Sequence, residues 1–243
     1  MKDLYRESRS LLEAALPQLP AALVEGVLAR YFPHHLRIVG DGGRVASMLF
    51  SIPYAIETER GTLPARYLFA IATDPAYRGK GLAKGLIEDE VKRGFPLLLH
   101  PRTQSLFAFY EKAGLSPLSP VITEEGEALA LPLPTEPRTL SAGEYLALRR
   151  QFLTPPFAAP DEGFLSLCST GALELPGVCA ALYRWEGDKV LFAEWLGCPD
   201  FAPRLAAYLG ASRFELRRPS PDGTPFGAGV GLPFDTAFLL SLM

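Results

Sequence analysis

Cysteine and long apolar runs are scarce in this sequence of 243 residues. Its three cysteines, Cys168, Cys179 and Cys198, form no CxxC pair, which argues against metal ligation and against a disulfide framework. No uninterrupted apolar run approaches the roughly 20 residues of a membrane span, and the N-terminus lacks the apolar region of a signal peptide. We therefore expect a cytoplasmic protein with reduced thiols, no metal and no membrane partner.

A large excess of either charge is also missing. The chain has 24 basic and 27 acidic residues, a net charge of -3, which removes the electrostatic case for nucleic acid as the main partner. Residues 1–135 hold 15 basic and 15 acidic side chains, whereas residues 136–243 hold 9 basic and 12 acidic ones. The second half is therefore mildly anionic and suits a cationic substrate better than an anionic one.

Alternating helix and strand patterns predict an α/β fold in the first half. Apolar residues recur every three or four positions over residues 3–30, and Pro17 and Pro20 divide this stretch into two short helices. Asp41-Gly42-Gly43 predicts a hairpin turn. The remaining pattern predicts strands over 35–39, 44–57, 66–73, 95–100 and 121–133, and helices over 82–93 and 105–113 that end at Gly94 and Gly114.

Prolines at 132, 134 and 137 predict a linker, which divides the chain into domains of residues 1–135 and 136–243. The second half then predicts a helix over 141–152, a proline-rich loop, a hairpin of strands 178–185 and 189–196, a helix over 201–209 and a strand over 212–217. Strand, proline loop, helix and strand follow one another as they do over residues 66–100. This order indicates either a degenerate internal repeat or the alternation that any α/β chain shows.

The stretch Tyr77-Arg78-Gly79-Lys80-Gly81-Leu82-Ala83 stands between an apolar strand and a helix. A helix start leaves backbone N–H groups unpaired at the positive end of the helix dipole, and two glycines let a phosphate approach the backbone. Arg78 and Lys80 add positive charge, so the stretch predicts an anion-binding turn for a diphosphate. Neither GxxxxGK[ST] nor GxGxxG is present, which excludes a Walker A loop and the dinucleotide fingerprint.

The arrangement R-x-x-G-x-A, from Arg78 to Ala83, resembles the acetyl-CoA pyrophosphate loop of the GNAT N-acetyltransferases. The preceding Ile71–Tyr77 is similar to the exit of that family's fourth strand, and Leu106–Leu115 is similar to its FYEKxGF helix. These motifs cover residues 66–118, with a looser match across 1–133. The resemblance implies a central mixed, mostly antiparallel sheet flanked by helices. It does not explain the remaining tail, for which we expect a smaller α/β domain, either a degenerate GNAT repeat or an unrelated unit.

The resemblance also implies a cofactor site. The backbone of Ile71 and Thr73 would bind the pantetheine arm, in a gap between two splayed strands. The pyrophosphate would be held by the backbone amides of Gly79, Lys80, Gly81, Leu82 and Ala83, with Arg78 and Lys80 contacting its oxygens. Thr103-Gln104-Ser105 stands where the family often has an asparagine.

Three further residues are candidates for catalysis. Tyr110 matches the family's general acid, which protonates the leaving thiolate; its alternative is an aromatic side chain packed on a short helix. A primary amine is mostly protonated at pH 7, so a base or a water chain is required. Glu57 and His100 are the candidate bases, beside the chain-terminal carboxylate or water alone. Each could instead be a surface carboxylate or a capping histidine.

Two acidic features receive other interpretations. The run Glu88-Asp89-Glu90 predicts a solvated helix face. In the second half, Asp200 and the residues after Pro199 include no glycine, so we expect this half to have lost acetyl-CoA. It would then wall the acceptor groove or mediate homodimer formation.

The sequence thus predicts an N-acetyltransferase that uses acetyl-CoA as co-substrate. Direct attack by an amine within a ternary complex is the implied mechanism. The acceptor is open among a small amine, an aminoglycoside-like polyamine, an amino acid and a protein lysine, and the mildly acidic second half favours a small cationic amine. A longer acyl group is a further alternative, because the width of the strand gap decides the acyl chain. The rival from another class is a non-catalytic acyl-CoA-binding sensor or interaction module, which would need residues 78–83 but not Tyr110.

Overall fold

The computed structural model describes residues 2–168, 171–233 and 236–237. The chain divides into two compact units. The first comprises Met1–Ile56, Arg60–Leu118 and Gly227–Phe234, and the second comprises Glu57–Glu59, Ser119–Phe226 and Asp235–Met243. The predicted boundary after residue 135 therefore falls inside the second unit.

The described residues form helices α1–α7 and strands β1–β12. The helices are α1 (Lys2–Ala15), α2 (Ala21–Tyr31), α3 (Leu82–Lys92), α4 (Phe107–Glu111), α5 (Ala142–Phe152), α6 (Glu162–Cys168) and α7 (Ala202–Leu209). The strands are β1 (Leu36–Asp41), β2 (Arg44–Thr58), β3 (Gly61–Thr73), β4 (Leu97–Leu99), β5 (Ser116–Glu127), β6 (Arg138–Leu140), β7 (Phe157–Pro160), β8 (Gly171–Leu175), β9 (Cys179–Glu186), β10 (Lys189–Gly197), β11 (Arg213–Pro219) and β12 (Thr224–Val230).

The sheet of the first unit is mixed. β1 and β2 form an antiparallel hairpin, and the predicted turn glycines, Gly42 and Gly43, both have positive φ. Next in the sheet come β3 and β4, which are parallel to each other, and then the end of β12, which is antiparallel to β4. Helix α1 packs on β3, and α3 packs on β1 and β3. Buried side chains from α3, α4 and the sheet form the core, among them Leu49, Leu68, Ile87, Leu97, Phe107 and Leu115.

In the second unit the strands follow the order β5-β11-β10-β9-β8-β6. Every neighbouring pair in it is antiparallel except β10 and β11, which are parallel. Helix α5 packs on β8 and β10, and α7 packs on β11. Ser141 caps α5, because its hydroxyl accepts from Glu144 N while the Glu144 carboxylate accepts from Ser141 N.

The predicted α/β class, a mixed and mostly antiparallel sheet flanked by helices, is confirmed within each unit. The interpretation of residues 153–177 as a loop was wrong, because β7, α6 and β8 lie there. These elements have four to seven residues each, too few for a periodic pattern to emerge. The strand predicted to reach residue 133 ends at Glu127, after which Leu129 N donates to Pro203 O.

One structural order occurs in both units. In the first, β3 leads through a short 3-10 turn, Pro75–Tyr77, into α3 and then into β4, which is parallel to β3. In the second, β10 leads through the 3-10 turn Pro199–Phe201 into α7 and then into β11, which is parallel to β10. The repeated order read from the sequence is therefore present in the fold as two parallel crossovers.

A buried ion pair joins α5 to the sheet of the second unit. Arg149 Nε donates to Glu194 Oε2 at 2.7 Å and its Nη2 donates to Oε1 at 3.0 Å, while Tyr145 Oη donates to the same carboxylate at 2.9 Å. Arg149 Nη2 also donates to Ala158 O at 3.0 Å. Both charged side chains are almost fully buried, so the desolvation cost is offset only while both partners are present.

We expect Glu194→Gln to lower the free energy of unfolding of the second unit by about 3 kcal/mol, because it leaves Arg149 buried without its counter-charge. Guanidinium titration followed by tryptophan fluorescence measures this unit, since Trp185 and Trp195, the two tryptophans of the chain, both lie in it. The control is Glu125→Gln, which removes a half-exposed carboxylate 3.7 Å from Arg213 and should cost less than about 1 kcal/mol. Equal effects of the two substitutions would contradict the prediction.

Candidate active site

The turn between β3 and α3 is built to leave its backbone open. Asp74 Oδ1 accepts from Ala76 N at 2.8 Å and thereby fixes the 3-10 turn. After this turn the backbone enters the left-handed region at Gly79, with φ +76°, and again at Gly81, with φ +77°. A Cβ at either position would meet nothing within 4 Å, so glycine is required here by backbone conformation rather than by space.

The first turn of α3 presents a group of amide donors. Its first helical hydrogen bond runs from Gly85 N to Gly81 O at 2.9 Å. The amides of Leu82, Ala83 and Lys84 therefore have no carbonyl partner within the helix. They lie at the positive end of the dipole of an 11-residue helix. This arrangement can bind an anion whose oxygens accept several directed hydrogen bonds.

Positive side chains flank these amides. Arg78 is held beside the end of β3, where its Nε donates to Thr73 O at 3.4 Å. Lys80 Nζ lies 4.6 Å from the centroid of the Tyr77 ring, and Tyr77 Oη donates to Asp41 Oδ2 at 2.8 Å. This hydrogen bond is the main cause that raises the pKa of Tyr77. The turn is thus joined to the β1–β2 hairpin with both cations close to its amides.

The end of β3 separates from β4. Their parallel pairing comprises Arg66 with Leu97 and Tyr67 with Leu98, and it does not reach Ile71 or Thr73 in the described register. Ala70, with φ +52°, interrupts the strand between these two parts. On the β2 side Thr73 stays attached, because its hydroxyl lies 2.9 Å from Ser47 Oγ. The backbone at Ile71 and Thr73 therefore follows the point where the two strands part.

Tyr110 lies on α4 in the core of the first unit. The residue is 7% exposed and packs with Leu86, Leu99 and Phe107. Burial raises the pKa of its phenol to about 12. The side chain is therefore neutral across the physiological range, and its packing also fits the alternative of a core aromatic.

The two candidate bases lie in different units. Glu57 groups with the second unit, where its Oε1 accepts from Arg150 Nη2 at 2.8 Å. His100 follows directly on β4 in the first unit and is partly buried. The third candidate, the chain-terminal carboxylate, lies outside the described residues. In the turn before α4, the hydroxyls of Thr103 and Ser105 lie 2.9 Å apart.

The interpretation of Glu88-Asp89-Glu90 as a solvated face was wrong for Glu90. Its carboxylate is 2% exposed and pairs with Arg37, Arg93 and Ser51. A sequence signal for this burial exists, because Glu90 follows the buried Leu86 and Ile87 by four and three positions and so shares their helix face.

The described residues hold neither a candidate metal cluster nor a candidate membrane-spanning helix. No three His, Cys, Asp or Glu side chains within them cluster as a metal site requires. Within the same residues, no helix has both the length and the apolar character needed to cross a membrane.

The first half of the chain matches a known protein family. Residues 2–116 match the family model of an acetyltransferase (GNAT) domain. Among curated proteins, none matches this sequence.

Several solved structures share the fold. A probable N-acyltransferase from Enterococcus faecalis superposes with a TM-score of 0.68 at 15% identity, covering 94% of this chain and 70% of its own. A GCN5-related N-acetyltransferase from Anabaena variabilis gives 0.66 at 14% identity, covering 91% and 68%. Eis1 from Mycobacterium abscessus gives 0.58 at 15% identity, covering 91% and 67%. At such low identity these matches show the fold alone, and they extend well beyond the residues of the family model.

Alanine substitutions at two glycines of α3 should change the stability of this helix in opposite directions. Gly81→Ala forces a Cβ into the left-handed region and should destabilise α3 by about 1 kcal/mol. Gly85→Ala lies inside the helix, where an added Cβ meets nothing within 4 Å, and should stabilise α3 by about 0.5–1 kcal/mol. Hydrogen exchange of the α3 amides measures both changes. Shifts of the same sign would contradict the backbone conformation described for Gly81.

Proposed function

Since residues 2–116 belong to the GNAT acetyltransferase family, we propose that this protein transfers an acetyl group from acetyl-CoA to a primary amine. The amine attacks directly while both substrates are bound in a ternary complex. The family and the fold support acyl transfer in general, and the geometry of the β3–α3 turn supports acetyl-CoA as donor.

One observation carries the proposal: the open amides at the start of α3, after two left-handed glycines. A diphosphate offers several oxygens with delocalised negative charge, and the amides of Gly79, Lys80, Gly81, Leu82 and Ala83 offer directed donors. Neither glycine position is occupied by a neighbouring side chain, so a phosphate has room to approach. Arg78 and Lys80 add charge beside this group.

The pantetheine arm fits the strand edge that follows the β3–β4 pairing. An extended arm with amide groups can exchange hydrogen bonds with the backbone of Ile71 and Thr73, as an added strand would. This edge leads directly from the α3 amides toward the part of β3 that still pairs with β4. The diphosphate and the arm would thus be bound by adjacent parts of one strand-turn-helix segment.

The reaction requires two proton transfers. The acetyl thioester supplies the activated carbonyl; a C–N bond forms as the C–S bond breaks. Tyr110 donates to the leaving sulfur, and its raised pKa keeps the phenol protonated at neutral pH. The acceptor nitrogen must lose its proton to His100, to Glu57, to the chain-terminal carboxylate or to water.

The acceptor is proposed to be a small cationic amine. Residues 136–243 carry 9 basic and 12 acidic side chains, whereas residues 1–135 are balanced. An anionic second half favours the approach of a cation over that of an anion. A homodimer is compatible with this proposal but does not follow from it.

The second candidate function is a non-catalytic acyl-CoA-binding module. The observation in its favour is Tyr110, which packs in the hydrophobic core as a purely structural aromatic would. Glu57, likewise, already has an ion-pair partner in Arg150. A binding module would retain the α3 amides and show no turnover with any amine.

Calorimetric titration with acetyl-CoA, beside a thiol-release assay over a panel of amines and acyl chain lengths, tests the donor and the reaction. We expect binding, and release with at least one cationic amine. S-Acetylpantetheine, which lacks the diphosphate, should bind at least about tenfold more weakly, because the α3 amides would have no partner. Binding without release for any amine would favour the module, and no binding of acetyl-CoA would refute both candidates.

Tyr110→Phe tests the acid directly. We expect kcat to fall by about two orders of magnitude with the affinity for acetyl-CoA unchanged. Because the pKa of Tyr110 is about 12, wild-type kcat should show no loss of this acid up to about pH 10. The control is Tyr31→Phe, which removes another buried hydroxyl of the first unit. Wild-type kcat in Tyr110→Phe at every pH would remove the acid role.

A further inference from the structure

Glu90 is unusual among the acidic residues of α3. Its side chain is 2% exposed, whereas that of Glu88, two positions earlier on the same helix, is 43% exposed and pairs with Lys84. The proposed reaction does not use Glu90, which lies at the opposite end of α3 from the open amides. Glu90 follows Gly81 by nine positions, which corresponds to about 13 Å along the helix axis.

Three side chains converge on this carboxylate, two from neighbouring strands and one from the end of α3 itself. Oε1 accepts from Arg37 Nε of β1 at 2.6 Å and forms an ion pair with Arg93 Nε, just after α3, at 2.8 Å. Oε2 accepts from Ser51 Oγ of β2 at 2.5 Å. The helix is therefore attached to two neighbouring strands through one side chain.

The partners are themselves fixed. Arg37 Nη1 donates to the carbonyls of His34 and Leu36, at 3.2 and 3.1 Å, which sets the plane of its guanidinium. Ser51 N donates to His35 O at 2.8 Å, which holds the serine in the β-sheet. The two donors that reach Glu90 from the strands are therefore held in place by hydrogen bonds to or from the backbone.

Hydrogen bonds of this kind fix the orientation of a helix on the sheet, which apolar packing alone does not. Leu86 and Ile87 bury α3 against the core, but apolar burial has no preferred direction and tolerates a small slide or rotation of the helix. A buried carboxylate is costly unless its hydrogen bonds are made, so α3 must keep the setting in which Glu90 reaches both Arg37 and Ser51. Because the helix is rigid, that setting also fixes where the amides of Leu82 and Ala83 point.

We propose that Glu90 is a positioning residue for the diphosphate of acyl-CoA. It acts through α3, by holding the N-terminal amides in register with the end of β3, and it touches neither substrate. This inference rests on the proposed function, because it assumes that the α3 amides bind a diphosphate.

Glu90→Gln tests the proposal, since it keeps the shape of the side chain but removes its charge. We expect the Kd for acetyl-CoA to rise about tenfold or more, because small displacements of directed donors are costly. The kcat/KM for S-acetylpantetheine, which makes no diphosphate contact, should stay within about twofold of wild type. Glu88→Gln, on the exposed face of the same helix, is the matched control and should leave both values unchanged.

These readouts separate positioning from a purely structural role. A structural role would lower the melting temperature while the folded protein bound acetyl-CoA with unchanged Kd, and that result would overturn the proposal. If Glu90→Gln does not fold, Ser51→Ala decides, because it removes one donor and leaves both arginines in place. A Kd in Ser51→Ala equal to that of wild type would then overturn the proposal.

Failure of the proposed function would give a different experimental result. Wild-type protein that binds no acetyl-CoA would refute both the function and the role of Glu90. Wild-type protein that binds acetyl-CoA as tightly as Glu90→Gln does would refute the role of Glu90 alone.

Discussion

The amides of the first turn of α3 set the main constraint on the first unit. A helix cannot satisfy its own first N–H groups, so the protein must either cap them or leave them to an external acceptor. Gly79 and Gly81 both adopt a left-handed backbone conformation, and the N-cap Gly81 has no side chain to cap the helix. An uncapped helix start is stable only if the rest of the helix is firmly attached. The buried face of α3 provides this attachment, through Leu86, Ile87 and the carboxylate of Glu90.

In the second unit the corresponding helix, α7, begins without a comparable group of open amides. This helix follows a proline-initiated 3-10 turn as α3 does, but Pro203 occupies an early helical position and has no N–H to offer. The Pro203 carbonyl accepts from Leu129 N, and the neighbouring Arg204 donates to Pro132 O. No glycine lies between Pro199 and this helix, and Asp200 would repel an anion there. These features support the expectation that only the first crossover binds acyl-CoA.

Much of this arrangement could be predicted from local patterns. The Asp41-Gly42-Gly43 hairpin, the helix start after Gly81 and the capped start of α5 depend on neighbouring residues, and the structure has them where the sequence places them. Short elements such as β7 and α6 could not be found, because they are specified by partners distant in the chain. The burial of Glu90 departs from the predicted solvated face, although its spacing from Leu86 and Ile87 places it on the buried side of the helix. A sequence shows which face of a helix is apolar more readily than which charged residue joins that face.

Burial of Tyr110 narrows what its phenol can do in acyl transfer. A pKa of about 12 lies above that of an ordinary thiol in water, about 8.5, so the phenol is a weak acid toward a solvated thiolate. A hydrogen bond to the departing sulfur needs no complete transfer of the proton, and it is stronger in an apolar setting than in water. The same desolvation that weakens Tyr110 as an acid therefore improves it as a neutral donor. In the proposed reaction Tyr110 would stabilise the sulfur as the C–S bond breaks, and the same apolar surroundings would raise the basicity of the thiolate that takes its proton.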